Sequence, residues 1–370
     1  MRKLAFLLFL AVLCPHAPAA PVTVDQFEQL LATLHNQRDE KVVQKLAGLE
    51  LTERASAARL AKWEADFSGK SRDLLVAIAD ASAFLDLPAA DIPAKEMPDA
   101  ATRKQVLMQS IEFVKTTIHK VPVCTARRNT IHFDDNPVAD EARVLHLSPN
   151  GAGGNGMTPD TVGFAALSKG TRQLHVIDKS TIVATYRDGA AEVHSAGWKA
   201  GPRDLGLTTS GEFGPILTTV VGDAIRGEIR WGHWEQGTAG PIAVLRYAVP
   251  APVSHYALSV GASSKGAAPQ APPYHGEIAI DPATGNLVRI TIVSELKPPH
   301  QVFDSSIEVE YAPVTIGSAT YICPVKGIAI SRVSFPNEDP KSIDPPAPTQ
   351  TFLNDVSFTE FAEGAGSGKK

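Results

Sequence analysis

Trp231-Gly232-His233-Trp234-Glu235 is the densest cluster of side chains able to do chemistry in this chain. An extended strand sends alternate side chains to opposite faces, so His233 and Glu235 would lie on one side, two residues apart. An imidazole beside a carboxylate can supply half of a metal site or an acid–base pair. The same alternation groups Ile229 and Trp231 with His233, and Arg230 with Trp234. The plainer reading is an aromatic-rich strand carrying a His–Glu hydrogen bond. A metal needs a third ligand, and spacing alone does not bring His194, His255 or His275 to this strand, so no metal is expected. Glu212, in Gly211-Glu212-Phe213-Gly214-Pro215, is flanked by turn formers and stands either at a loop mouth or in a structural turn. His233, Glu235 and Glu212 form the candidate catalytic set.

Other signatures are missing. There is no G-x-S-x-G nucleophile elbow and no H-E-x-x-H zinc helix. Gly69-Lys70-Ser71 resembles the end of a phosphate loop, but Glu64 occupies the earlier glycine position and the segment falls between helices. The Gly151-Ala-Gly153-Gly154-Asn-Gly156 cluster lacks dinucleotide-binding spacing and reads as a loop. Arg127-Arg128 would point to opposite faces of a strand, as a solvated pair. No cofactor is expected.

The first residues set the compartment in which any site would work. Met1-Arg2-Lys3 is basic, Leu4 to Leu13 is a run of ten apolar residues, and Ala17-Pro18-Ala19 offers the small residues a signal peptidase accepts. That run is too short to span a bilayer, which needs about 20 residues. Residues 1–19 are therefore expected to be a removed leader, with a periplasmic or extracellular mature chain and no transmembrane helix. Leu13 before Cys14 is too large for lipoprotein processing, which favours cleavage near Ala19 over lipidation. Without the leader, 33 basic residues face 40 acidic ones, a formal charge of −7. A mildly acidic chain with no basic run does not suit nucleic acid. With 44% apolar residues there is ample core material. Cys124 and Cys323 remain, and in an oxidising compartment they read as a candidate disulfide or as two free buried thiols. The bridge would close a loop of about 199 residues and contribute roughly 5 kcal/mol in the chain-entropy model.

The elements that would position these residues change character once. Residues 20–120 read as helices. Phe27, Leu30, Leu31 and Leu34 form one stripe, and Leu60, Trp63 and Phe67 mark a segment from about Glu40 to Phe67, interrupted at Gly48-Leu49. Ser71 is placed to cap a third helix holding Leu74, Leu75, Ile78 and Leu85, and a fourth runs from about Ala101 to His119. From residue 121 to 363 the period becomes two. Ile182, Ala184 and Tyr186 precede an Asp188-Gly189 turn, and Ala243, Leu245, Tyr247 and Val249 form a one-sided strand. Ile278 and Ile280 lead through Asp281-Pro-Ala-Thr-Gly285 into Val288, Ile290 and Ile292, and Ile307, Val309 and Tyr311 alternate with Glu308 and Glu310. Strands also fit 320–325, 328–335 and 352–361. Flexible loops are expected at about 134–172 and 261–273, and a disordered tail at 364–370. The fold class is α+β: an N-terminal helical block followed by a large curved antiparallel sheet.

The Gly211–Pro215 run, Trp231-x-x-Trp234-Glu235, and Gly276-Glu-Ile-Ala-Ile-Asp-Pro-Ala-Thr-Gly285 with Val288-Arg289-Ile290 resemble an uncharacterised secreted family of acidobacteria, which has no assigned activity to carry over. The I-x-I-D-x-x-T-G turn followed by Arg289 is also similar to lipoprotein-carrier half-barrels of the LolA/LolB type. That likeness implies a curved sheet wrapping helices and holding acyl chains in its concavity. Trp231, Trp234 and Arg289 are the candidate ligand contacts, and no ligand-binding set is assigned beyond them.

Three functions follow from this reading. First is an exported envelope protein binding a lipid or other apolar ligand in a half-barrel. Next is a non-catalytic envelope interaction or scaffold protein with a protein partner. Ranked last is a secreted hydrolase built on His233, Glu235 and Glu212, so the chain is read as leaning away from catalysis. An open apolar concavity would favour carriage, and one plugged by helices a structural role.

Overall fold

The computed structural model describes residues 20–116, 120–135, 173–187, 190–192, 211–238, 240–258, 271–296, 302–333 and 350–364. The leader with Cys14, the Gly151–Gly156 cluster, the Asp188-Gly189 turn and nearly all of the expected loops and tail lie outside these residues.

The helical block contains α1 (Val24–Leu34), α2 (Asp39–Leu46), α3 (Ala57–Asp66), α4 (Gly69–Ala81) and α5 (Ala100–Thr116). Local chemistry sets several of their starts. Thr23 and Gln26 form a reciprocal capping box on α1, the Ser56 hydroxyl accepts from Arg59 N on α3, and Asp99 accepts from Thr102 N on α5. Ser71 does not cap α4 as expected. The cap comes from another helix: the Asp39 carboxylate accepts from Lys70 N and Ser71 N, at 3.1 and 2.9 Å. Gly69, at φ +68°, permits this approach, since a side chain there would meet Asp39 Oδ2 at 3.0 Å. The interruption expected at Gly48-Leu49 is a short strand, β2 (Leu49–Leu51), paired in parallel with β1 (Ala20–Val22).

The remaining strands are β3 (Cys124–Asp134), β4 (His175–Arg187), β5 (Ala190–Glu192), β6 (Glu228–Gln236), β7 (Pro241–Val249), β8 (Tyr274–Ile280), β9 (Leu287–Glu295), β10 (Val302–Ile316), β11 (Ala319–Val333) and β12 (Gln350–Glu363). They form one open sheet in the order β5-β4-β3-β12-β11-β10-β9-β8-β7-β6. Every pairing in it is antiparallel. The α+β class expected from the sequence is present, and the sheet does not close into a barrel. Sequence periodicity missed one element. α6 (Pro215–Arg226) lies inside the β region and buries Ile216, Leu217, Val220, Val221 and Ala224. Pro215 at its first turn and Gly214 before it are the local signals for that start.

The sheet has two differently built faces. On one, Leu245, Tyr247, Ile278, Ile280, Ile290, Ile292, Ile307 and Val309 make a continuous core with Phe113 and Val114 of α5 and with α6. The other face receives α1–α4. Toward β3, β11 and β12 it is apolar: Phe133 and Leu353, with Ile131 and Ile330, join the core of Phe27, Leu46, Trp63 and Leu75. Toward β6–β10 it carries charges.

Candidate functional site

The charged half of that face is where the sequence candidates meet. A β-bulge between Trp231 and His233 resets the alternation of β6. Trp231 lies opposite Leu245, but His233 lies opposite Val244, so Gly232 takes up the extra residue. The expected grouping is thereby corrected. His233 and Glu235 share a face with Arg230, whereas Trp231 and Trp234 point together to the other face with their rings 5.0 Å apart, edge to face. Gly232 suits the position because a Cβ would come within 3.0 Å of the Val244 carbonyl oxygen.

The expected hydrogen bond is present: His233 Nε2 lies 3.0 Å from Glu235 Oε1. The rest of the surroundings went unread in the sequence. Arg289 donates to both Glu235 oxygens at 2.9 Å, and Arg54 from the helical block donates to Glu235 Oε1. Arg289 also reaches Glu277 Oε2 at 3.2 Å, and Arg54 lies 3.6 Å from the same oxygen. Beneath them Arg289 Nε stands 3.5 Å from Glu308 Oε2, and neither atom has a hydrogen-bond partner among the described residues. A second group adjoins this one: Lys326 donates to Asp80 at the end of α4 at 2.6 Å, close to Asp355.

Protonation in this layer follows from the balance of desolvation against charge. Burial alone would raise the Glu235 carboxyl, but hydrogen bonds from Arg289 and His233 and the charges of Arg289 and Arg54 hold it well below the usual carboxylate range. Glu308 goes the other way: burial pushes it up to about 7, and the Arg289 charge offsets only part of that. Burial and the charge of Asp355 raise Asp80 as well, against Lys326. Burial works against the charge on Lys326, but the charges of Asp80 and Asp355 outweigh it and hold the ammonium protonated.

His233, Glu235 and Glu277 place ligand-type atoms within 4.8 Å of one another. The chemistry of the group is poor for a divalent cation, because two guanidinium groups already occupy the Glu235 oxygens and would repel it. Glu212 does not join this group. It is buried on the opposite face, where its carbonyl accepts from Tyr311 OH at 3.0 Å and its carboxylate lies 3.8 Å from Arg128. The aromatic candidates are occupied by packing. Trp234 Nε1 donates to the Glu96 carbonyl at 2.8 Å with Lys95 Nζ over its ring, and Trp231 packs against the apolar core.

The cysteine bridge is also corrected. Cys124 and Cys323 are free, buried thiols in a cluster with Tyr186, Phe213 and Phe358. Cys124 is on β3 and Cys323 on β11, with β12 between them. Two strand spacings are about 10 Å, beyond the roughly 7 Å between Cα atoms that a disulfide can bridge. Burial pushes the thiols up to about 11 and about 12, for Cys323 with help from the neighbouring Cys124, so both stay protonated and unreactive.

Arg54, Glu277, Glu308, Lys326 and Asp80 were not recognisable as one group. Glu308 and Glu277 alternate with isoleucines and valines, a pattern that ordinarily marks a solvent-facing side. No family model, curated protein or solved structure matches the chain.

Proposed function

We propose that this chain is an exported, non-catalytic envelope protein that acts through binding or interaction, on a body made rigid by the Arg54–Glu235–Arg289 group. The leader-like first nineteen residues support export, and among the described residues no helix is long and apolar enough to cross a membrane. One observation carries the non-catalytic reading: both Glu235 oxygens are taken up by arginines, one of them from the helical block. A carboxylate held this far below its usual range by two guanidinium groups lacks the basicity for acid–base work. It serves instead to fix the block on the sheet.

Glu235→Gln tests this reading. A locking role predicts a loss of about 3–5 kcal/mol in thermal or denaturant unfolding, because Arg54 and Arg289 are left buried with too little opposing charge. A catalytic role predicts unchanged or raised stability, the usual result when a strained active-site group is removed. Carriage of a lipid or other apolar ligand is the second reading, supported by the broad apolar face of a sheet that does not close. Against it, α5 and α6 lie across the face that would line the concavity. Native mass spectrometry of protein taken from its own envelope separates the two: a stoichiometric co-purifying lipid would establish carriage, and its absence would leave the interaction role.

A further inference from the structure

A cleft of about 470 Å³ opens beside the locked charges, between the sheet and residues 83–86 after α4. That volume is within the range of small-molecule sites. Its floor is laid across neighbouring strands. Arg230 on β6 is directly opposite Arg246 on β7, Arg246 is opposite Glu277 on β8, and His275 is opposite Ala248. Like charges facing each other across a strand pair repel. Arg246 is neutralised, by Asp86 from the roof and by Glu277. Arg230 is exposed and makes no ion pair among the described residues. Glu228, two residues away on the same face, is also exposed and also makes none. Among the described residues the cleft therefore holds one unpaired cation and one unpaired anion side by side, next to Arg246, which pairs with Asp86 and Glu277.

We propose that this cleft binds a small zwitterion of the amino-acid type, its carboxylate on Arg230 and its ammonium on Glu228. A guanidinium holds a carboxylate through two parallel hydrogen bonds, and His275 is a further polar group on the same wall. A simple anion would relieve the Arg230–Arg246 repulsion but would face Glu228, Glu277 and Asp86. A simple cation would meet the reverse. Opposite charges on one ligand answer both. The inference rests on the binding reading above and names its ligand class.

Isothermal titration of the full mature chain with each of the twenty free amino acids tests it, with valerate and butylamine as single-charge controls. Saturable binding of at least one amino acid, with the controls at least ten-fold weaker, is expected. Arg230→Ala and Glu228→Ala should each weaken that binding ten-fold or more without lowering the melting temperature of the unliganded protein, since neither residue makes an ion pair among the described residues. Equal binding of valerate would overturn the zwitterion, and an absence of heat with every probe would overturn the site. The lock is read separately by the Glu235→Gln melt, so either idea can fail without the other.

Discussion

The helical block meets the sheet in two adjoining regions that hold it by different physics. Toward β3, β11 and β12 the contact is apolar, with Phe133 and Leu353 fully buried against α1–α4. Toward β6–β10 it is ionic, with Arg54, Arg289, Glu235, Glu277 and Glu308 in one layer. Apolar burial is favourable and tolerant of orientation, because it scales with area removed from water. A buried ion group adds little net stability, but it is intolerant: remove one member and the others are left desolvated without a partner. The apolar half thus provides most of the adhesion, and the ionic half fixes where the block sits.

The comparison is broken most sharply by Arg289→Met, which takes from Glu308 its nearest cation and leaves Glu235 to Arg54 and His233, and Glu277 to Arg246 and Arg54. Denaturant unfolding should show a loss of about 4 kcal/mol. Leu353→Ala, in the apolar half, should cost about 3 kcal/mol through lost burial and the cavity left behind. The two losses should differ in pH dependence, the first varying with pH and the second hardly at all.

A third variant sharpens the ionic half. Glu308 keeps its proton up to about 7 in the folded protein, whereas a free glutamate releases it near 4.5. Its contribution is therefore complete below about 4.5 and is lost as pH rises to 7. Glu235, held low, acts oppositely: its contribution is present above 4.5 and is lost as pH falls below that. Melting temperature should peak under mildly acidic conditions and decline toward pH 8. Glu308→Gln should flatten the decline, gaining about 2 kcal/mol at pH 8 and little at pH 5. A decline unchanged in this variant would show that another group carries it.

The smallest effect belongs to Lys179→Met. Lys179 also bridges sheet and helical block, to Asp73 at 2.7 Å, but its side chain is 53% exposed. Its loss should cost under about 0.5 kcal/mol. A larger cost would mean that charge at this contact matters irrespective of burial.

Much of this was legible in order of residues alone. The change of period near residue 121, the Asp281–Gly285 turn and the His233–Glu235 pair all depend on local spacing, which backbone geometry converts directly into facing. Gly232 was visible too, yet its effect on facing was not, because a bulge is defined by the partner strand. α6 was hidden within β periodicity, and the free thiols depended on strand order. The meaning of the charges on β8–β11 was the largest gap. Alternation told which residues share a face, and that is a covalent property of an extended chain. Whether water or protein covers that face is not. Folding brought Arg54 from the helical block onto Glu235, 181 positions away, and turned an apparently solvated side into a buried, paired layer. Only packing decides such a case, because the free energy of a charge is set by what surrounds it.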